Sequence, residues 1–266
     1  MKSYILLICM AAAELQAQSL LPAPYLGMGG AAIAQDGLYA LLGNPAGLLE
    51  LQRLEVAICY EQAYFIKDLA RQGLLVAVPI GAFNKLGLRL SNYGIAHVSS
   101  LLQSGISWTH AFGSTLSMSI SLNHHQYYLA NYQNNHSYSL DLGMLYRWRA
   151  GLAFGFFFKN VAGNAFATSV AEYLPRELGL GLAYSFSESL RFASDLLLSL
   201  PGALIYRLGL DYTIHPQFSI RVGSMVNPFQ YTAGFGWASR SWFIDIASRF
   251  HSKLGTSPQL GIRYVF

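Results

Sequence analysis

From residue 54 to the carboxy terminus, large apolar residues alternate at period two with small, polar or charged ones. Tyr138, Leu140, Leu142, Met144, Tyr146 and Trp148 share one parity; Ser139, Asp141, Gly143, Arg147 and Arg149 share the other. The pattern returns in Leu152, Phe154, Phe156 and Phe158 against Ala153, Gly155 and Lys159. It returns again in Leu178, Leu180, Leu182, Tyr184 and Phe186 against Glu177, Gly179, Gly181, Ala183 and Ser185. Later stretches repeat it in Phe218, Ile220 and Val222; in Phe229, Tyr231, Phe235 and Trp237; in Trp242, Ile244 and Ile246; and in Leu260, Ile262, Tyr264 and Phe266. Successive strand residues point to opposite faces. One face is therefore large, apolar and aromatic, and the other is small, polar and charged. In a soluble sheet the apolar face is the core and the polar face meets water. Here the small face holds Gly, Ala and Ser as well as charge, an arrangement that suits a membrane barrel, apolar toward lipid and polar toward the lumen. A soluble all-β protein is the alternative reading of the same alternation.

Composition sharpens the choice. Charged residues make up only 11% of the chain, yet no stretch after the first residues is an uninterrupted apolar span of helical length. With backbone polar groups to satisfy in hydrocarbon, the structure left for such a chain is a closed barrel. The first residues read as an export signal occupying 1–17: Lys2 gives a positive start, Tyr4 and the residues through Ala13 an apolar run, and Leu15-Gln16-Ala17 a small-residue cleavage site. A lipoprotein signal at Cys9 is the rival, with Ile8 where a small residue is expected. Removal of Cys9 leaves Cys59 as the only thiol, so no internal disulfide is expected. The net charge of +4 is spread along the chain rather than gathered in a basic run, so nucleic acid is not an expected partner.

The alternation places strands at 54–64, 73–80, 84–93, 102–112, 114–126, 137–149, 151–160, 176–187, 189–199, 203–214, 216–224, 229–239, 241–251 and 257–266. That is an all-β transmembrane antiparallel barrel of about fourteen strands, an even number as single-chain bacterial barrels have. Every second connection is tight, at 81–83, 113, 150, 188, 215–216 and 240. The others are expected to be longer, at 65–72, 94–101, 127–136, 161–175, 200–202, 225–228 and 252–256. Short turns on one rim and longer loops on the other fit a periplasmic and an extracellular side, with both ends of the barrel chain on the short-turn rim.

Nearly all strand charges fall on the small face: Glu55, Glu61, Arg89, Asp141, Arg147, Lys159, Glu177, Arg191, Asp195, Arg207, Asp211, Arg221, Asp245, Arg249 and Arg263. An Arg or Lys facing lipid at the midplane costs about 2–4 kcal/mol, which explains the placement. These charges are expected to form a lumen network, pairing Arg191 or Asp195 with Arg207 or Asp211, and Asp245 with Arg221 or Arg263. A substrate-selective lining is the alternative. Tyr146, Trp148, Tyr184, Phe186, Trp237, Trp242 and Tyr264 are expected in an interfacial girdle. The closest approach to a catalytic set is His124-His125 near Ser121 and Asp141, but adjacent strand residues face opposite ways. His97, His110, His136, His215 and His251 have no metal-ligand spacing. No enzyme, metal or cofactor is expected. Leu260, Ile262, Tyr264 and Phe266 alternate to an aromatic terminus of the kind read by the barrel-assembly machinery, which with outer-membrane lipid is an expected partner.

Between signal and barrel, residues 18–53 have another character. Gly27-Met28-Gly29-Gly30-Ala31 is followed by Asp36 and by Asn44-Pro45-Ala46-Gly47-Leu48. Ala31 to Leu42 suits a short helix, and Asn44-Pro45 starts a turn. The segment is too apolar to hang in water and too glycine-rich for a strand, so a plug inside the barrel is expected. These residues resemble the N-terminal signature of the FadL superfamily of outer-membrane barrels, and more particularly its PorV/PorQ-type branch associated with type IX secretion. The resemblance implies a fourteen-stranded barrel with a hatch carrying the Asn-Pro-Ala motif, here Gly27, Gly29, Gly30, Asp36, Asn44, Pro45, Ala46 and Gly47.

Three functions follow from this reading. The PorV/PorQ likeness implies an accessory of protein secretion or surface assembly, with secretion-system proteins as partners. The FadL likeness implies a passive channel for small hydrophobic molecules, with Asn44 to Leu48 as a movable hatch. A structural barrel subunit of another outer-membrane complex is the third.

Overall fold

A computed structural model of the protein describes residues 20–95, 98–130, 134–149, 151–166, 174–200 and 202–266. The signal segment at 1–17 and the turn residue at 150 lie outside the described residues. The alternating stretches form β1 (Glu55–Gln62), β2 (Ala70–Ile80), β3 (Asn84–Ile95), β4 (Ser99–Phe112), β5 (Leu116–Leu129), β6 (Asn135–Arg149) and β7 (Leu152–Lys159). They continue as β8 (Arg176–Ser185), β9 (Leu190–Leu200), β10 (Ala203–His215), β11 (Phe218–Val226), β12 (Gln230–Ser239), β13 (Trp242–His251) and β14 (Gly255–Val265). Each strand pairs antiparallel with its sequence neighbours, and β1 closes on β14 to complete a fourteen-stranded barrel. That seam runs from Glu55 opposite Val265 to Glu61 opposite Gln259. The Phe266 amide donates to the Leu54 carbonyl at 3.0 Å and extends it. Closure leaves no sheet edge, which hydrocarbon demands.

The outer face is the apolar one. Ile58 is 53% exposed, Leu122 61% and Trp148 58%. So continuous an apolar belt marks contact with lipid. Outward residues carry even numbers on most strands but odd numbers on β12. There Tyr231 opposes Ser224 on one side and Phe250 on the other. The connection from β11 to β12 shifts the parity and the next hairpin shifts it back, so the lipid face is unbroken.

Two sequence expectations change here. First, several outer-rim loops are shorter than expected, although the connection between β7 and β8 keeps its expected length. Strands β3 and β4 pair up to Ile95 opposite Ser99, and β5 and β6 up to Tyr127 opposite Asn135. These strand ends carry Asn, Ser and Gln, so the apolar alternation fades although the backbone ladder continues. Second, the inward face is not uniformly small and polar. Leu75, Leu145, Phe157, Leu197, Ile205 and Met225 all face inward and are buried. They need an apolar partner inside the barrel.

That partner is the segment before β1. Residues from Leu20 to Leu51 are almost entirely buried within the lumen. They comprise α1 (Ala23–Gly27) and two 3₁₀ turns, Leu38–Leu42 and Pro45–Glu50. Ala31 to Leu42 therefore divides into an irregular stretch and one 3₁₀ turn rather than a single helix, because Gly37 adopts φ +93° between them. Leu38, Leu41 and Leu48 pack with Ala57, Leu75 and Ala77. Ile33 packs with Phe157, Leu197, Ile205 and Met225. Ala34 and Ala46 pack with Leu145, Ala153 and Ala183.

Candidate functional site

The plug is positioned by its own local chemistry. Pro24 fixes the first turn of α1, where a missing amide costs nothing. The chain then bends back through Gly29 and Gly30 at φ +67° and +82°. Asn44 caps the second 3₁₀ turn, its side chain accepting from the Ala46 amide at 3.2 Å. The same side chain donates to the Ile33 and Met144 carbonyls, each at 2.9 Å. One amide therefore ties together two parts of the plug and strand β6.

Every residue of the glycine and Asn-Pro-Ala segments lies against the wall or braces the plug. Thr232 accepts from the Gly29 amide at 2.8 Å and donates to the Gly27 carbonyl at 3.0 Å. Arg207 donates to the Gly30 carbonyl. The Pro45 and Ala46 carbonyls accept from Thr109 and Ser117, each at 2.8 Å. The Gly47 carbonyl accepts from the Gly37 amide at 2.9 Å, folding the plug on itself. Asp36 accepts from Arg147, and from Arg191 at 3.3 Å. Both arginines lie next to short turns, so this latch sits at the inner rim.

The lumen charges are divided among several clusters, and this corrects the expected pairing. Asp195 and Arg207 are cross-strand neighbours, yet both turn to the plug backbone. Asp195 accepts from the Ala32 and Ile33 amides at 2.6 and 3.1 Å. Arg191 goes to Asp36 instead of Asp211. Asp211 joins Arg221 at 3.1 Å, and Arg221 also holds Asp245 at 2.6 Å, one of the expected pairs. Arg263 goes to Glu55 at 2.9 Å and lies over the Phe243 ring. Arg249 and Arg71 share Glu61. Arg89 lies 3.7 Å from Asp141, and Lys159 lies 3.1 Å from Glu177. The charges balance locally because an unpaired buried charge is expensive.

Sequence reasoning missed Thr232, Asn123 and Arg71. Asn123 donates to Asp141 at 2.8 Å and accepts from Arg89 at 2.8 Å. Thr232 and Asn123 sit at inward parity, the one signal available for them. Arg71 precedes the stretch in which the alternation is visible, although β2 already begins at Ala70. Of the His-Ser group, His125 faces inward to Gln103 and Ser139, Ser121 bonds Ser107, and His124 faces outward against His136.

The plug leaves a cavity on each side. The outer one is lined by Arg89, Ser91, Gln103, His125, Asp141, Lys159 and Glu177, with Leu20 and Leu42 from the plug. The inner one lies between Tyr25 and Gln35 to Tyr39 of the plug and Arg191, Asp211, Arg221, Asp245 and Arg263 of the wall. A narrow space beside the outer cavity is lined by Leu21, Ala32, Ile33, Gly43, Phe157, Lys159, Glu177 and Arg207. We expect Asn44→Ala to destabilise the plugged state by about 1–3 kcal/mol, the cost of orphaning buried carbonyls. Protease protection of residues 20–51 under increasing urea reads this directly; an unchanged midpoint would rule out the pinning role.

No protein-family model matches the chain, and no curated protein matches it in sequence. Solved structures do share its architecture. CymD, a monoaromatic hydrocarbon channel, superposes with a TM-score of 0.70, covering 92% of this chain and 97% of its own at 16% identity. The P. putida toluene transporter TodX gives 0.67, covering 93% and 99% at 13% identity. A Pseudomonas aeruginosa FadL homologue gives 0.63, covering 92% and 98% at 12% identity. The fold is that of these channels. At such identity the likeness extends to the fold alone, and it lends nothing to the PorV/PorQ-type expectation.

Proposed function

We propose that the protein is a plug-gated passive channel of a bacterial outer membrane. One observation carries the reading: a separate segment held by side-chain contacts fills the middle of the lumen and leaves a polar cavity on each side of it. A purely structural barrel could fill its interior with wall side chains, as small barrels do. Here the wall instead presents glycines where the plug backbone approaches, for example Gly155 against Ile33 and Gly209 against Met28. That is a fitted, separable part. The fold shared with solved channels supports the same reading. A secretion accessory needs a broad outer surface to hold cargo, and most outer-rim connections here span only a few residues.

The Asp36 latch gives the test. Asp36→Ala removes the Asp36 contacts of both arginines and leaves the wall intact, with Arg147 still 3.4 Å from Glu50 and Arg191 still donating to the Ala34 carbonyl at 3.3 Å. Proteoliposomes carrying this variant should swell faster in small solutes by roughly ten-fold, the effect of losing one charge-assisted anchor. If no small solute enters either with Asp36→Ala or after deletion of residues 20–51, the channel reading fails. Recovery of the solubilised protein in a stable stoichiometric complex, with no flux, would favour an accessory or subunit role.

A further inference from the structure

We infer that the solute admitted is a small, net-neutral zwitterion of the size of an aliphatic amino acid, rather than a hydrocarbon. This rests on the channel reading above and adds the class of molecule that passes.

The outer cavity is charged on more than one side. Arg89 and Lys159 supply two cations, and Asp141 and Glu177 two anions. His125, Gln103, Ser91 and Ser139 add neutral donors and acceptors. A hydrocarbon lodged here would strip these groups of water and return no hydrogen bond. A singly charged solute would unsettle charges that sum to zero among the described lining residues. A zwitterion keeps the sum at zero: its ammonium faces Asp141 or Glu177, and its carboxylate faces Arg89 or Lys159.

Size agrees. The cavity has about 60 Å³ of space for water-sized atoms. A single water needs at least roughly 10–15 Å³ of occupied volume, so the cavity holds more than one water and has room for a small polar solute.

The same chemistry recurs elsewhere in the lumen. Lys159 and Glu177 also line the narrow space beside the outer cavity, joined there by Arg207. Beyond the plug, the inner cavity of about 300 Å³ again mixes Arg191, Arg221 and Arg263 with Asp36, Asp211 and Asp245. There Gln35 Nε2, Tyr39 Oη and Asp211 Oδ1 are buried without a protein partner among the described residues.

The experiment uses the full chain in proteoliposomes, both wild type and Asp36→Ala. Uptake of L-alanine is compared with glycerol, with propionate (the same molecule lacking its ammonium), with isopropylamine (lacking its carboxylate) and with phenol. After subtraction of uptake by protein-free liposomes, alanine is expected to enter faster than propionate, isopropylamine and phenol. In Lys159→Gln/Glu177→Gln the ratio of alanine to glycerol uptake should fall roughly ten-fold, the effect of losing one charged hydrogen bond. Equal rates for all solutes, an unchanged ratio in that double variant, or faster passage of phenol would overturn the inference and leave the channel standing. No uptake of any solute above that of protein-free liposomes, even with Asp36→Ala, would overturn both.

Discussion

Gly29→Val should drive the plug off the wall and raise solute flux by at least about ten-fold, the factor that 1.4 kcal/mol represents. Gly29 adopts φ +67°, and a Cβ there would meet the backbone carbonyls of Leu208 and Ser224. Those carbonyls belong to β10 and β11, which are paired with each other across Leu208 and Ser224. Neither can retreat without breaking the wall. A left-handed conformation costs a non-glycine residue about 1–2 kcal/mol, and overpacking a fitted interface adds about 1–3 kcal/mol. The wall would survive, since its ladder does not depend on Gly29, so the strain falls on the plug. Gly37→Ala is the control: φ is +93° there, but nothing lies within 4 Å of the position its methyl group would take. It should show the conformational cost without the collision and a much smaller rise in flux. Swelling rate and protease protection of residues 20–51 measure both variants. A Gly29→Val protein with normal flux and a protected plug would refute the packing argument.

Removal of residues 264–266 should abolish recovery of folded, heat-modifiable protein. Strand β14 is the partner on which β1 closes, and the pairs Glu55 with Val265 and Val56 with Tyr264 lie at the very end of that seam. Truncation also loses the Phe266 amide bond to Leu54. On the lipid side it dismantles an aromatic group in which Tyr264 contacts both Trp242 and Phe266, each with ring centroids 4.7 Å apart. Each such aromatic pair contributes about 0.5–1.5 kcal/mol, and an opened seam exposes unpaired backbone to lipid at several kcal/mol per group. Phe266→Ala keeps the seam pairs and removes one ring, so it should lower the folded yield without eliminating it. We propose that this terminus also serves as the assembly signal. A truncated chain that inserts with normal yield would exclude both roles.

How much of this was legible beforehand depends on which physical rule governs each part. The strands were legible because lipid on one side and a polar interior on the other force a period of two, whatever the neighbours. Charges such as Asp141, Arg221 and Asp245 could be placed inside for the same reason. Their partners could not. Period two gives the direction of Arg191 but not that Asp36, 155 residues away, reaches it. The plug was visible as a glycine-rich apolar segment. The role of Asn44 as a pin between Ile33, Ala46 and Met144 was not, because two of those contacts join distant stretches of chain.

Leu75, Leu145, Phe157, Leu197, Ile205 and Met225 mark the dividing line. In the sequence they are large residues at inward parity, exceptions to the alternation. Inside the barrel they are the apolar surface on which Ile33, Leu41 and their neighbours rest. The sequence by itself determined the barrel, its strand number and which residues face lipid, since these follow from local periodicity and the cost of exposing charge or backbone to hydrocarbon. Only the tertiary structure decided how the lumen is filled, which charges bind the plug and where two polar cavities remain. Those outcomes depend on which surfaces meet when β1 closes on β14 around the segment that precedes it.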